Sequence, residues 1–367
     1  MSGAGEREEA VPADARERGD GGRGDRGRGD EDARDGAGGR EKPGQFRRRK
    51  RDVHGWLVLD KPVGVTSTHA VAIAKRVFAA KKAGHAGTLD PLASGLLPIA
   101  LGEATKTVPF VMEGRKSYRY AVQWGAETDT DDAEGRIVAQ SDARPEPAAI
   151  EGAIPRFLGA ISQVPPRFSA IKIAGERAYD LAREGAEVSL EPRTVEIDAL
   201  RLVAHGRTPD GSLVSTFEAE CGKGTYVRAL ARDMGRLLGC LGHVVALRRT
   251  RVGPFAEAHA VPLDELEARA EADARALADA PDAPFARAFP RADETLHPVA
   301  AALAELPGLE IDRSQAGRLR RGQGVLLRGA HAPVAGGPFR VTSGGELIAV
   351  ADVAGGELAA RRVFNLR

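Results

Sequence analysis

His85-Ala86-Gly87-Thr88-Leu89-Asp90-Pro91-Leu92-Ala93-Ser94-Gly95 places a single carboxylate in a turn-rich, apolar setting with no second acid beside it. Two readings stand open at Asp90. Asp-Pro is a common turn pair in which the carboxylate bonds its own backbone. Alternatively, Gly87 and Gly95 let a ligand approach the backbone closely, while Leu89, Leu92, Leu96 and Leu97 exclude water around a reactive acid. Burial alone neutralises such an acid, so a carboxylate that stays ionised as nucleophile or base needs a cation, and arginine offers a bidentate partner that never deprotonates. The candidate is Arg228, in Cys221-Gly222-Lys223-Gly224-Thr225-Tyr226-Val227-Arg228, where a Gly-rich turn ends a strand and opens a helix. By itself Gly-Lys-Gly-Thr is a plain tight turn, and spacing does not join it to Asp90.

Working outward, residues 55–62 form an apolar burst of strand length stopped by Pro62. Thr66-Ser67-Thr68 then precedes apolar positions at Ala70, Val71, Ile73, Ala74 and Val77, which predicts an N-capped amphipathic helix. Its end is basic through Lys75, Arg76, Lys81 and Lys82, which serves either the helix dipole or a phosphate beside the Asp90 loop. Residues 96–101 are apolar, residues 118–124 alternate like a half-buried strand, and further strands are predicted at 195–203 and 213–221. Helical patterns fall at 150–157, 178–183 and 226–238. Strands interspersed with helices, many of them hairpin-linked, predict an α+β fold. From Leu263 to about Ala292 the chain is rich in Ala, Glu, Asp and Arg, with breakers at Pro281 and Pro284, so a helix and then a linker are expected. Gly-punctuated strands at 324–327, 339–342 and 347–351 predict a small β-rich module over 306–367.

Composition narrows the function. The 367 residues carry 53 Lys and Arg against 52 Asp and Glu, so affinity for nucleic acid has to come from local clustering and not from overall charge. Residues 1–51 alternate Gly, Arg, Asp and Glu around a lone aromatic, Phe46, and are expected to be disordered; the basic run Arg47 to Arg51 is either solvated or in contact with phosphate. Two cysteines, Cys221 and Cys240, fit a reducing compartment. With no membrane span and no secretory signal, a cytoplasmic location is expected. Metal, serine-hydrolase and P-loop motifs do not occur, and the eight histidines lack ligand spacing, so no metal is expected. Tyr118 lies in Arg115-Lys116-Ser117-Tyr118-Arg119-Tyr120, an aromatic interleaved with cations that suits unpaired or extruded nucleotides; the other reading is a strand residue facing the core. Residues 167–179 repeat the mixture.

Together these segments resemble the TruB family of tRNA pseudouridine synthases. The likeness rests, in order, on residues 55–62, the 85–95 loop, Gly102-Glu103-Ala104-Thr105-Lys106, Tyr118, Thr128-Asp129-Thr130-Asp131, residues 223–228 and residues 243–248. The resemblance implies a pseudouridine synthase catalytic domain over 52–262, with a mixed, largely antiparallel sheet flanked by helices. It also implies an insertion near 165–190 whose Lys172, Arg177 and Arg183 contact RNA, and a PUA-like β-barrel over 306–367; the Ala-rich stretch at 263–305 and the N-terminal tail find no counterpart in the motifs. The implied activity is isomerisation of the T-loop uridine of tRNA, position 55 in tRNA nomenclature, by base flipping and without a cofactor. Asp90 matches the catalytic aspartate and Arg228 its partner. His85, Tyr118, Tyr226 and Leu247 match residues around the flipped base, while Lys61 and Pro62 match a motif behind the catalytic loop. The partner is tRNA through its T stem-loop, with a monomeric enzyme, no obligate protein partner and no membrane. Two other classes stand beside it: a tRNA-folding chaperone whose chemistry is secondary, and cofactor-dependent RNA modification such as methyl transfer.

Overall fold

The computed structural model describes residues 50–169, 172–173, 176–177, 190–279, 289–329 and 332–366. The tail through residue 49 and the helix expected at 178–183 lie outside these residues, as do the side chains of Lys172, Arg177 and Arg183.

The apolar burst folds as β1 (Gly55–Lys61), in which every residue but Asp60 is buried, as a strand covered on both faces must be. α1 (Ser67–Val77) follows, capped as expected: Thr66 Oγ1 accepts from the His69 N–H at 3.1 Å, and Ala70, Ile73, Ala74 and Val77 form its buried stripe. The short β2 (Ala83–His85) and β1 both pair antiparallel with β3 (Ser94–Leu101). The quoted loop is therefore the connection from β2 to β3.

A second antiparallel set comprises β4 (Lys116–Trp124), β5 (Gly159–Gln163), β6 (Arg193–Arg207), β7 (Leu213–Cys221) and β8 (Gly242–Val252), in the spatial order β8-β4-β7-β6-β5. Between β7 and β8 runs α2 (Val227–Leu237), whose Leu230, Ala231 and Met234 pack against Tyr120, Trp124 and Phe217 of the sheet. The two sets meet along a short parallel seam in which Ser94 registers with Arg248 and Gly95 with Arg249. Gly95 is required there. Its φ is +98°, and an added Cβ would sit 2.3 Å from the Arg249 carbonyl oxygen. Three two-residue strands complete an eleven-stranded, mixed and largely antiparallel sheet, which gives the α+β class expected.

α3 (Leu263–Asp279) is the expected Ala-rich helix; its Leu266 is buried in the core that α1 shares with β1 and β3. At the C-terminus, β9 (Gly308–Glu310), β10 (Val325–Leu326), β11 (Gly336–Ser343), β12 (Glu346–Ala354) and β13 (Glu357–Val363) run in the order β9-β11-β12-β13-β10. This curled, half-barrel sheet stands where the small β-barrel was expected. β13 carries a weaker signal than its neighbours, because Glu-Leu-Ala-Ala-Arg-Arg-Val does not alternate cleanly. Leu347, Val350 and Phe364 join a core with Trp56, Val58, Leu96 and Phe255. The Gly102 to Lys106 motif clasps the same edge: Lys106 Nζ donates to the Val363 carbonyl at 2.8 Å and Glu103 Oε2 accepts from the Asn365 N–H at 2.8 Å.

Arg51 corrects the reading of the basic run, because its side chain turns inward. It is 8% exposed, Nε donates to the Phe78 carbonyl at 2.9 Å, Nη1 reaches Asp293 at 2.6 Å, and the guanidinium lies 4.8 Å from the Phe289 ring centroid. Beyond α1, Lys81 pairs with Asp52 at 2.7 Å and Arg76 with Glu267 at 3.8 Å, so these two cations have acids for partners. No helix among the described residues is long and apolar enough to cross a membrane.

Candidate active site

The β2–β3 loop is pinned at many of its backbone groups. The Ser67 hydroxyl, buried at the start of α1, accepts from the Leu89 N–H at 2.8 Å and donates to the Leu89 carbonyl at 2.9 Å. Arg249 reaches under the loop from β8, with Nη2 donating to the Gly87 carbonyl (3.1 Å), Nη1 to Thr88 (3.2 Å) and Nε to Leu96 (2.8 Å). The Pro91 carbonyl accepts from the Gly64 N–H at 2.8 Å, and the Asp90 carbonyl from Ala93 at 3.1 Å. Lys61 shapes the turn that supplies Gly64: its buried Nζ donates to the carbonyls of Pro62 and Val65, both at 2.8 Å. Desolvation lowers the Lys61 pKa to about 8, against the opposing pull of the Asp90 charge. Pro62 itself is exposed.

Held this way, Asp90 meets Arg228 from the first turn of α2, with Nη2 to Oδ2 at 2.9 Å. The other guanidinium nitrogen lies 3.1 Å from Asp132 Oδ2 and donates to the Thr130 carbonyl at 2.9 Å. Asp132 is fixed in turn, since its Oδ1 accepts from the Thr130 hydroxyl at 2.6 Å and the Glu134 N–H at 3.1 Å. One guanidinium thus bridges two carboxylates through charge-assisted contacts. Asp131 points the other way to Arg232 at 2.9 Å, and desolvation raises its pKa to about 6.

Asp90, Tyr118, Tyr226, Arg228 and Leu247 all line one cavity of about 270 Å³ at the seam between the two strand sets. The cavity departs from the apolar enclosure expected around Asp90. Its walls carry Lys116, Arg193, Lys223 and Arg249 besides Arg228, and the Asp90 side chain is 38% exposed to it. Leucine burial lies behind the loop, with Leu89, Leu96 and Leu97 in the core. Tyr118 stands opposite Arg249 across β4 and β8; desolvation raises its phenol pKa, and the Arg249 guanidinium pulls the other way. Tyr226 is fixed by Gln163, which takes its N–H at 2.9 Å and donates to its carbonyl at 3.1 Å, while the Arg193 guanidinium lies 4.8 Å from its ring centroid. His85, Lys61 and Pro62 are not among the lining residues; His85 ends β2 opposite Ile99.

Ser67, Lys116, Asp132, Arg193 and Arg249 have places here that the sequence reading did not assign. A period-two signal was available for two of them, since Lys116 lies two residues before Tyr118 and Arg249 two after Leu247, each pair on one face of its strand.

Comparison with known proteins follows the same segments. Residues 75–227 match the TruB family pseudouridylate synthase N-terminal domain, and residues 228–304 the tRNA pseudouridylate synthase B C-terminal domain. The second match takes in the Ala-rich helix α3, correcting the expectation that it has no family counterpart. The tRNA pseudouridine synthase B of Rhodopseudomonas palustris is 61% identical over 90% of this chain and 85% of its own length, and that of Bradyrhizobium diazoefficiens 59% identical over 89% and 90%. Among solved structures, an H/ACA ribonucleoprotein bound to a substrate RNA containing 2'-deoxyuridine matches at a TM-score of 0.63 and 24% identity over 85% of this chain and 86% of the other, a likeness of fold. Two consecutive family domains and relatives at this identity over most of their lengths lead to one conclusion: the chain belongs to the TruB family of pseudouridylate synthases.

Proposed function

We propose that the protein isomerises uridine 55 in the T loop of tRNA to pseudouridine, with Asp90 as the reacting carboxylate. The observation that carries this reading is the 2.9 Å contact of Asp90 with a 6%-exposed Arg228 inside a cavity also lined by Tyr118 and Leu247. Oδ2 is engaged by the guanidinium, which leaves Oδ1 to act at C1′ or C6 of the nucleotide, or on a sugar proton. A base inside a folded RNA has to be extruded to reach such a carboxylate, and an aromatic ring beside the acid gives it a surface to stack on. Tyr118 and Tyr226 fill that role in this reading, with Leu247 as apolar floor and the Lys61–Pro62 turn as support for the loop. His85 acts from the base of the loop and not from the cavity wall. A folding chaperone has no need of an acid paired with a buried arginine in such a cavity.

The rest of the RNA would be held by the insertion near 165–190 and by the module over 306–367, with 52–262 as the catalytic unit. We take the enzyme to act as a cytoplasmic monomer. The test uses T-arm RNA tritiated at uracil C5. Asp90→Asn should bind this RNA yet release no tritium, whereas release at the wild-type rate would remove Asp90 from the mechanism.

A further inference from the structure

The charge around the cavity does not balance. One lining carboxylate, Asp90, faces five lining cations. Arg228 is matched by Asp90 and Asp132, and Lys223 by Glu113 at 2.5 Å. Arg193 donates to the Gly224 carbonyl at the rim. Lys116 and Arg249 differ, being 7% and 2% exposed and held by backbone carbonyls, Met112 and Gly114 for the lysine and Gly87, Thr88 and Leu96 for the arginine, which also meets the Tyr118 phenol. Among the described residues neither has a carboxylate within ion-pair distance. Burying a cation without a counter-charge is costly. A lysine can relieve the cost by losing its proton, and desolvation lowers the Lys116 pKa to about 8. A guanidinium has no such outlet and stays charged. Arg249 is therefore a permanent positive charge on the wall where the base would sit, lacking an anion.

Pseudouridine formation, the reading on which this inference rests, supplies one. When the C1′–N1 bond breaks, its electron pair remains on N1 and the detached uracil is an anion. The base turns, a C5 electron pair forms the C1′–C5 bond, the C5 proton leaves and N1 takes up a proton. Atoms and electrons balance with no co-reactant. We infer that Arg249 is a catalytic residue whose guanidinium stabilises the negative charge on the detached base. Its geometry suits the task. Three of its five N–H groups are committed to carbonyls on both sides of Asp90, which fixes the charge relative to the acid before reaction begins, and two remain for the base and the neighbouring phenol. It also stands cross-strand from Tyr118, on which the base would stack.

Leaving-group acidity provides the test. T-arm RNAs carrying either uridine or 5-fluorouridine at the target are mixed with excess wild-type, Arg249→Met or Arg249→Lys protein, and single-turnover consumption of the target nucleoside is followed together with RNA affinity. Fluorine at C5 makes N1 more acidic, so the fluorinated base departs with less help. Arg249→Met should slow uridine consumption by about 100-fold at nearly unchanged RNA affinity. Its deficit relative to wild type should shrink by about tenfold on the fluorinated RNA, with Arg249→Lys between the two proteins. If Arg249→Met does not fold, Arg249→Gln is the second neutral variant. A clamp that merely positions the loop would give equal deficits on both RNAs, and that result, or a loss confined to RNA affinity, overturns the inference. If wild-type protein consumes neither RNA, it is the pseudouridine reading that fails.

Discussion

Ser67→Ala deletes one oxygen that serves both backbone groups of Leu89, the residue preceding Asp90. Ser67 is only 4% exposed, and the space left by a hydroxyl is smaller than the roughly 10–15 Å³ a water needs, so no solvent molecule takes over the two bonds. A buried N–H and a buried C=O are left unpaired at about 1–3 kcal/mol each, which allowing for some relaxation comes to about 2–4 kcal/mol. At about 1.4 kcal/mol per factor of ten, the loop should open about 30- to 1000-fold more often. Amide hydrogen exchange over residues 87–93 reads this directly, with β7 as the internal reference. Single-turnover conversion of T-arm RNA should fall alongside it, at unchanged affinity, because Ser67 does not line the cavity. Unchanged exchange in the loop with wild-type turnover would refute the view that this hydroxyl holds Asp90 in place; equal acceleration in β7 would show that Ser67 anchors the whole fold instead.

Gly95→Ala forces a side chain onto a residue with φ of +98° and 2.3 Å from the Arg249 carbonyl oxygen, so it should open the seam and cost about 2–5 kcal/mol in urea unfolding; a variant within experimental error of wild type would contradict the seam's tightness. Lys61 has a folded-state pKa of about 8 against the ordinary lysine value of 10.5, so the unfolded chain binds more protons between those values and stability rises with pH across that window. Wild type should therefore gain on Lys61→Met between pH 7.5 and 9.5, and parallel pH curves for the two proteins would count against a lowered Lys61 pKa in the folded state. Affinity for T-arm RNA should drop steeply with salt as phosphate contacts release counterions, whereas a flat dependence would remove the cationic rim from the interface.

Local physics made much of the fold legible. Thr66 caps α1 because hydroxyl and amide are three residues apart, and the 118–124 alternation fixes a strand because the pleat has a period of two. The Asp90–Arg228 contact could not be read this way, since the partners are 138 positions apart and only the family likeness joined them. Ser67 and Arg249 escaped notice for the same reason: a serine in a capping triplet and an arginine in a basic strand look ordinary until the seam closes over the loop. Arg51 failed in the opposite direction, because a run of cations gives no local sign that one member will turn inward to an acid 242 residues away.

The seam between β3 and β8 also sets an order of events during translation. Asp90 and Ser67 leave the ribosome well before Tyr118, Arg228 and Leu247, and Arg249, near the end of β8, emerges last of all. A nascent or proteolysed chain ending short of that arginine holds the acid without its clamp.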